Sequence, residues 1–147
     1  MNKYEVVRTN PNRLLHIMRS NNAPAWLIDE LTSLMSYCMQ DSEWMEKASY
    51  QELSNGYYVG GVNAEGKRHG TGIYIFKQEE DFMGNIYGDI YFGSWMNGFK
   101  HGEGFYFYSD NTTVYYGGWK NGNREGHGCI WSPNYFMQGI YKNDKKI

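Results

Sequence analysis

The first 55 residues of this chain contain no glycine, and all 18 glycines lie between Gly56 and Gly139. Other absences narrow the reading further. Neither charge is in large excess, with a formal net charge of −2, so binding to nucleic acid has no electrostatic support. Residues 1–55 hold five Lys/Arg and seven Asp/Glu, and residues 56–147 hold nine of each. Neither part is therefore a polybasic arm or an acidic tail. No stretch approaches the ~18 consecutive apolar residues of a membrane span. The opening Met1-Asn2-Lys3-Tyr4-Glu5 lacks the apolar core of a signal peptide. The two cysteines, Cys38 and Cys129, show no CxxC spacing. They read as reduced, buried thiols in a cytoplasmic protein, with a disulfide between them as the alternative.

What is present divides the chain in two. Aromatic residues make up 18% of it, yet only Tyr4, Trp26, Tyr37, Trp44 and Tyr50 precede Gly56. A glycine-free segment, residues 1–55, is followed by a Gly/Tyr/Phe/Trp-rich part, residues 56–147. In the front segment, Lys3 to Thr9 alternates weakly and suggests a short strand. Asn10-Pro11 reads as a cap and first-turn proline opening a short helix, Arg13 to Arg19. A second helix follows Pro24. Its Leu27, Leu31, Leu34 and Cys38 recur at helical spacing, with Ile28, Met35 and Met39 on an adjacent strip. So wide an apolar arc implies packing against two neighbours, or an adaptable binding surface made by Met35, Met39 and Met45.

The back part repeats. Tyr91-x-Gly93-x-Trp95-x-Asn97-Gly98 is followed by His101-Gly102-x-Gly104, and the pattern returns as Tyr115-x-Gly117-x-Trp119-x-Asn121-Gly122 with Gly126-x-Gly128. A short fixed period means a stacked array of one supersecondary unit. Tyr, Gly and Trp at alternate positions share one strand face. Asn-Gly marks a tight turn, because both residues tolerate positive φ. Each unit is thus a β-hairpin. A looser copy runs through Tyr58, Gly60, Gly61, Gly66, His69, Gly70 and Gly72. One extra residue in its first half suggests a bulge, and Val62 or Asn63 stands where the others have Trp. A half copy, Met137 to Tyr141, precedes Asp144-Lys145-Lys146. About eight residues are inserted around 77–85.

These residues resemble MORN (membrane occupation and recognition nexus) repeats, whose pattern is close to YxGxWxxGxxHGxG, over about residues 57–142. The resemblance implies an elongated antiparallel sheet of stacked hairpins. The fold class expected is mainly β (α+β), with the N-terminal helical segment capping or covering the sheet. Some members of the family are linked to lipid or membrane contact, and many form dimers.

A search for chemistry finds little. His69 and His101 occupy equivalent positions, but successive hairpins hold them roughly 9–10 Å apart, too far for one zinc ion. His127 and Cys129 share a strand face without further ligands. The Gly-x-Gly elements lie inside hairpins and open no helix, so they are not phosphate loops. No nucleophile has a base and an orienting group. The sequence therefore predicts no enzyme, no metal and no cofactor. It predicts a protein-interaction module or adaptor that presents an aromatic face to a protein partner or, as a homodimer, to itself. Tyr91, Trp95, Tyr115 and Trp119 are the candidate contact residues, joined by Phe82 and Met83 in the insertion. The alternative for each ring is packing within the array. The alternatives are a small inhibitor or immunity-type protein that occludes a partner enzyme, and a peripheral anionic-lipid binder. The neutral charge of the array disfavours the latter, since such binding wants a basic cluster.

Overall fold

A computed structural model describes every residue except 1, 41, 79–86 and 111. Among the described residues, three helices, α1 (Lys3–Ser20), α2 (Ala25–Gln40) and α3 (Ser42–Lys47), precede nine strands. The strands are β1 (Ser49–Leu53), β2 (Gly56–Val62), β3 (Arg68–Lys77), β4 (Tyr87–Met96), β5 (Phe99–Phe107), β6 (Val114–Lys120), β7 (Asn123–Ser132), β8 (Tyr135–Lys142) and β9 (Lys145–Lys146). They form one nine-stranded sheet in sequence order. Every neighbouring pair is antiparallel, β1–β2 and β8–β9 included. The expected array of hairpins with a helical front is what forms.

The front segment departs from the sequence expectation in two places. Lys3 to Thr9 is not a strand. It is the first half of α1, which runs unbroken through Pro11. Asn2 caps this helix, its side chain accepting a hydrogen bond from the Glu5 amide at 3.1 Å. Proline inside a helix costs roughly 3 kcal/mol. Here Pro11 lies on the buried stripe with Val6, Val7, Leu14, Leu15 and Met18, and burying such side chains yields about 1.5–3 kcal/mol each. Packing therefore outweighs the local penalty. Neither α3 nor β1 was legible in the sequence. Trp44 of α3 donates its indole N–H to the Thr71 carbonyl at 3.2 Å, which ties the helix to β3.

Helix α2 buries Leu27, Leu31, Met35 and Cys38, and Leu34, Ile28 and Met39 pack partly buried beside them. The wide arc serves two neighbours, as the first alternative held. Met35 and Met45 are core residues, 9% and 4% exposed, not an open methionine surface.

Register explains the repeat. Gly60, Gly72, Gly93, Gly104, Gly117, Gly128 and Gly139 pair successively from β2 to β8, a glycine row running across the sheet. Pairing slips at one equivalent place in each hairpin, between Gly60 and Val62, Gly93 and Trp95, and Gly117 and Trp119. The bulge is therefore common to all three units. On the partner strand it contains Gly102, whose φ of +85° is costly for a residue with a Cβ. The extra residue of the first copy sits instead in its turn. Val62 pairs with Arg68 as Trp95 pairs with Lys100, so Val62 takes the Trp position. The regular turns are tighter: Asn97 and Gly98 have φ of 49° and 89°, both positive, as a two-residue type I′ hairpin requires.

Candidate interaction surfaces

The sheet has two apolar faces, and each is buried differently. One carries Val59, Ile73, Ile75, Ile90, Phe92, Phe105, Phe107, Val114, Cys129 and Trp131, which share a core with the three helices. The other carries Tyr58, Tyr74, Tyr91, Trp95, Tyr115, Trp119 and Tyr141, which pack on one another with no residue of the described helices in their cluster.

This second face is an interlocking ladder. Edge-on ring contacts link Tyr58 to Trp95 (centroids 5.5 Å apart), Tyr91 to Trp119 (5.3 Å) and Tyr115 to Tyr141 (5.3 Å), each between successive hairpins. Such pairs add roughly 0.5–1.5 kcal/mol beyond their buried area. Within one hairpin, Tyr91 meets Trp95 at 5.0 Å and Tyr115 meets Trp119 at 5.2 Å. The tyrosines lie over the glycine row: a Cβ at Gly72, Gly104 or Gly128 would strike the ring of Tyr58, Tyr91 or Tyr115. Their hydroxyls donate to the carbonyls of Gly61 (2.7 Å), Ser94 (2.7 Å) and Gly118 (3.0 Å). The indoles of Trp95 and Trp119 donate to the carbonyls of Gly72 and Gly104 at 3.1 and 3.2 Å. One cation per repeat closes the stack: Arg68 lies 4.9 Å from Trp95, Lys100 lies 4.7 Å from Trp119 and Arg124 lies 4.9 Å from Tyr141. Burial lowers the Lys100 pKa, against the opposing pull of Asp144 and Asp89.

This geometry corrects the candidate contact residues. Tyr91 and Tyr115 are 0% exposed, and Trp95 and Trp119 are 6% exposed. They hold successive hairpins together and cannot form a contact surface while the array is folded. Phe82 and Met83 lie outside the described residues. His69 Nδ1 accepts a hydrogen bond from the Asn97 amide at 3.3 Å, which joins neighbouring hairpins. No group of three or more His, Cys, Asp or Glu among the described residues could hold a metal ion. Both cysteines are buried, and burial pushes the Cys129 thiol up to about 11, which keeps it protonated.

The helical layer does not cover its whole face. Beyond the first turn of α2, the far strands are open to solvent. The ring of Trp26 meets Phe136 of β8 edge-on at 6.4 Å. Trp26, Phe136 and Ile140 are 43%, 44% and 45% exposed. A depression of about 450 Å³ opens there, lined by Trp26, Glu103, Tyr116, His127, Gln138 and Ile140 with Cys129 and glycines in its floor. A second of about 280 Å³ adjoins it, lined by Glu30, Ser33, Leu34, Phe105 and again Glu103 and Tyr116. At their junction the Tyr116 hydroxyl lies 3.1 Å from Glu30 Oε2 and 3.1 Å from Glu103 Oε2. Burial first, then these two carboxylates, raise the pKa of that hydroxyl well above its ordinary value.

Sequence reasoning proposed none of these residues as contact residues. The signal was a departure from the repeat: Tyr116 pairs with Phe105 across β5–β6, and Phe105 pairs in turn with Phe92 across β4–β5. One hydroxyl thus enters a helix-facing row that is apolar from Val59 through Ile73, Phe92 and Phe105 and continues to Cys129 and Gln138. Its carboxylate partner Glu30 is remote in sequence and offered no signal. The MORN repeat model matches residues 64–78, 91–113 and 115–136, leaving the N-terminal segment unmatched. No curated protein matches the chain.

Proposed function

We propose that this chain, which carries MORN repeats over residues 64–78, 91–113 and 115–136, is a non-enzymatic protein-interaction module whose contact surface is the open end of the helix-covered face. The observation that carries the proposal is the exposure of Trp26, Phe136 and Ile140 together, beside a depression of about 450 Å³. Exposed apolar side chains gathered at a concavity are what a protein interface uses. The repeat aromatics support the array and leave this edge of the helical layer for contact.

Peripheral lipid binding has weaker support. The array has no net charge, and its Arg68, Lys100 and Arg124 are stacked on rings. No described helix is long and apolar enough to cross a membrane. The test is co-purification from the native source with the wild-type chain and with Ile140→Glu. The variant should lose a specific partner while keeping its melting temperature, since Ile140 is exposed. Undiminished capture by the variant would move the contact surface elsewhere.

A further inference from the structure

We infer that the groove between α2 and strands β5–β8 takes a peptide segment carrying an arginine next to an apolar side chain, with the guanidinium seated between Glu30 and Glu103. The inference rests on the interaction-module reading and gives its partner a chemistry.

Hydrogen-bond counting comes first. The Tyr116 hydroxyl carries one proton, yet two carboxylate oxygens approach it, each at 3.1 Å. The hydroxyl can donate to only one of them at a time. The other faces an oxygen lone pair and a like charge, and in the free protein only solvent can supply its missing donor. Neither adjoining depression is lined by a Lys or Arg that could do so. His127 is the one basic side chain in the lining of the larger depression.

An incoming cation removes this conflict, and a guanidinium does so best. Its five N–H donors lie in one plane and can bridge two carboxylates at once, whereas an ammonium acts as a point charge. The apolar neighbour has its own place: Trp26 and Ile140 line the larger depression, which meets the acidic junction at Glu103 and Tyr116. Charge and apolar surface are thus adjacent, one side chain apart.

A second copy of this chain does not meet the requirement as well, since its exposed Arg8, Arg13 and Arg19 are held on helix α1 rather than on an extended segment. Three of its cations, Arg68, Lys100 and Arg124, are engaged on the aromatic ladder. Lys47, Lys67 and Lys77 pair with Glu43, Glu65 and Glu52.

The probe is acetyl-Leu-Arg-Leu-amide, titrated into the full chain and followed by the indole N–H resonance of Trp26. Acetyl-Leu-citrulline-Leu-amide, uncharged and nearly isosteric, is the control. The arginine peptide should give a saturable shift with a Kd on the order of millimolar, as suits so few contacts. The citrulline peptide should bind about tenfold more weakly. The double variant Glu30→Gln, Glu103→Gln should bind both peptides alike while keeping the native spectrum, because both side chains are exposed. Equal binding of the two peptides by the wild-type chain would overturn the inference. So would self-association in light scattering that Glu30→Gln, Glu103→Gln abolishes, or flotation with phosphatidylserine vesicles that Ile140→Glu abolishes. If Ile140→Glu loses the native partner and the peptides show no charge preference, the module reading stands and this inference falls.

Discussion

On one face of the sheet, Tyr58, Tyr91 and Tyr115 are buried by side chains of their own repeats; on the other, Val59, Phe92 and Phe105 are buried by helices outside the repeats. The first face is self-sufficient. Ring, carbonyl and cation contacts recur there with each hairpin, so every unit brings its own cover. The second face depends on a covering layer, and where the layer stops the sheet is open. A repeat that is apolar on both sides thus builds one closed face and leaves the other to be covered by something else.

Removing the cover tests this most severely. Deleting residues 1–47 would expose Val59, Ile73, Ile75, Phe92, Phe105 and Phe107, a contiguous patch far beyond what a soluble monomer tolerates. The truncated chain should aggregate or unfold in size-exclusion chromatography. A monomeric, folded array would mean that the helices are dispensable and the two faces alike.

Within the ladder, Tyr91→Ala should cost roughly 3–5 kcal/mol in urea unfolding, as large-to-small aromatic substitutions do. The ring contacts both Trp95 and Trp119, so the loss spreads to two hairpins. A cost below about 1 kcal/mol would show that the ladder does not hold the hairpins together.

The same face should fail in alkali. Burial raises the hydroxyl pKa of Tyr58, Tyr91 and Tyr115 above the ordinary 10.0. Above pH 10 the unfolded chain releases these protons and the folded chain keeps them, so the folded state binds more protons and stability falls as pH rises. The three rings should together remove roughly 3 kcal/mol between pH 10 and 11. Tyrosinate absorbance should rise together with loss of the near-ultraviolet dichroism. Ionisation without unfolding would show that these hydroxyls are accessible.

Gly104→Ala should cost about 1–3 kcal/mol by overpacking, because the new methyl strikes the ring of Tyr91. Tyr91→Phe, which removes only the hydrogen bond to the part-buried Ser94 carbonyl, should cost about 1 kcal/mol. Thermal or urea midpoints of the two variants rank the steric and polar parts of the same contact.

The array was legible because its constraints are local and periodic. Asn97-Gly98 reads as a tight turn in any context. Gly102 and Gly104 are spaced by the bulge and by the ring above them. The front segment was not legible in the same way. Lys3 to Thr9 has a weak alternating pattern, and Pro11 ordinarily ends or starts a helix, yet burial of Val6, Val7 and Pro11 against the rest of the core carries α1 straight through. The contact residues were misplaced for a related reason. Tyr91, Trp95, Tyr115 and Trp119 are visible in sequence because they repeat, and they repeat because packing between hairpins needs them. A surface with a particular partner is formed by what does not repeat.

The sequence by itself determined the hairpin unit, the turn chemistry, the glycine row and the identity of the aromatic face, since each follows from spacing within a few residues. Only the tertiary structure decided which aromatics are buried, where the helical layer ends, and that Glu30 of α2 meets Glu103 and Tyr116 of the array. Those depend on how far two separately patterned segments overlap, and no local spacing encodes the overlap.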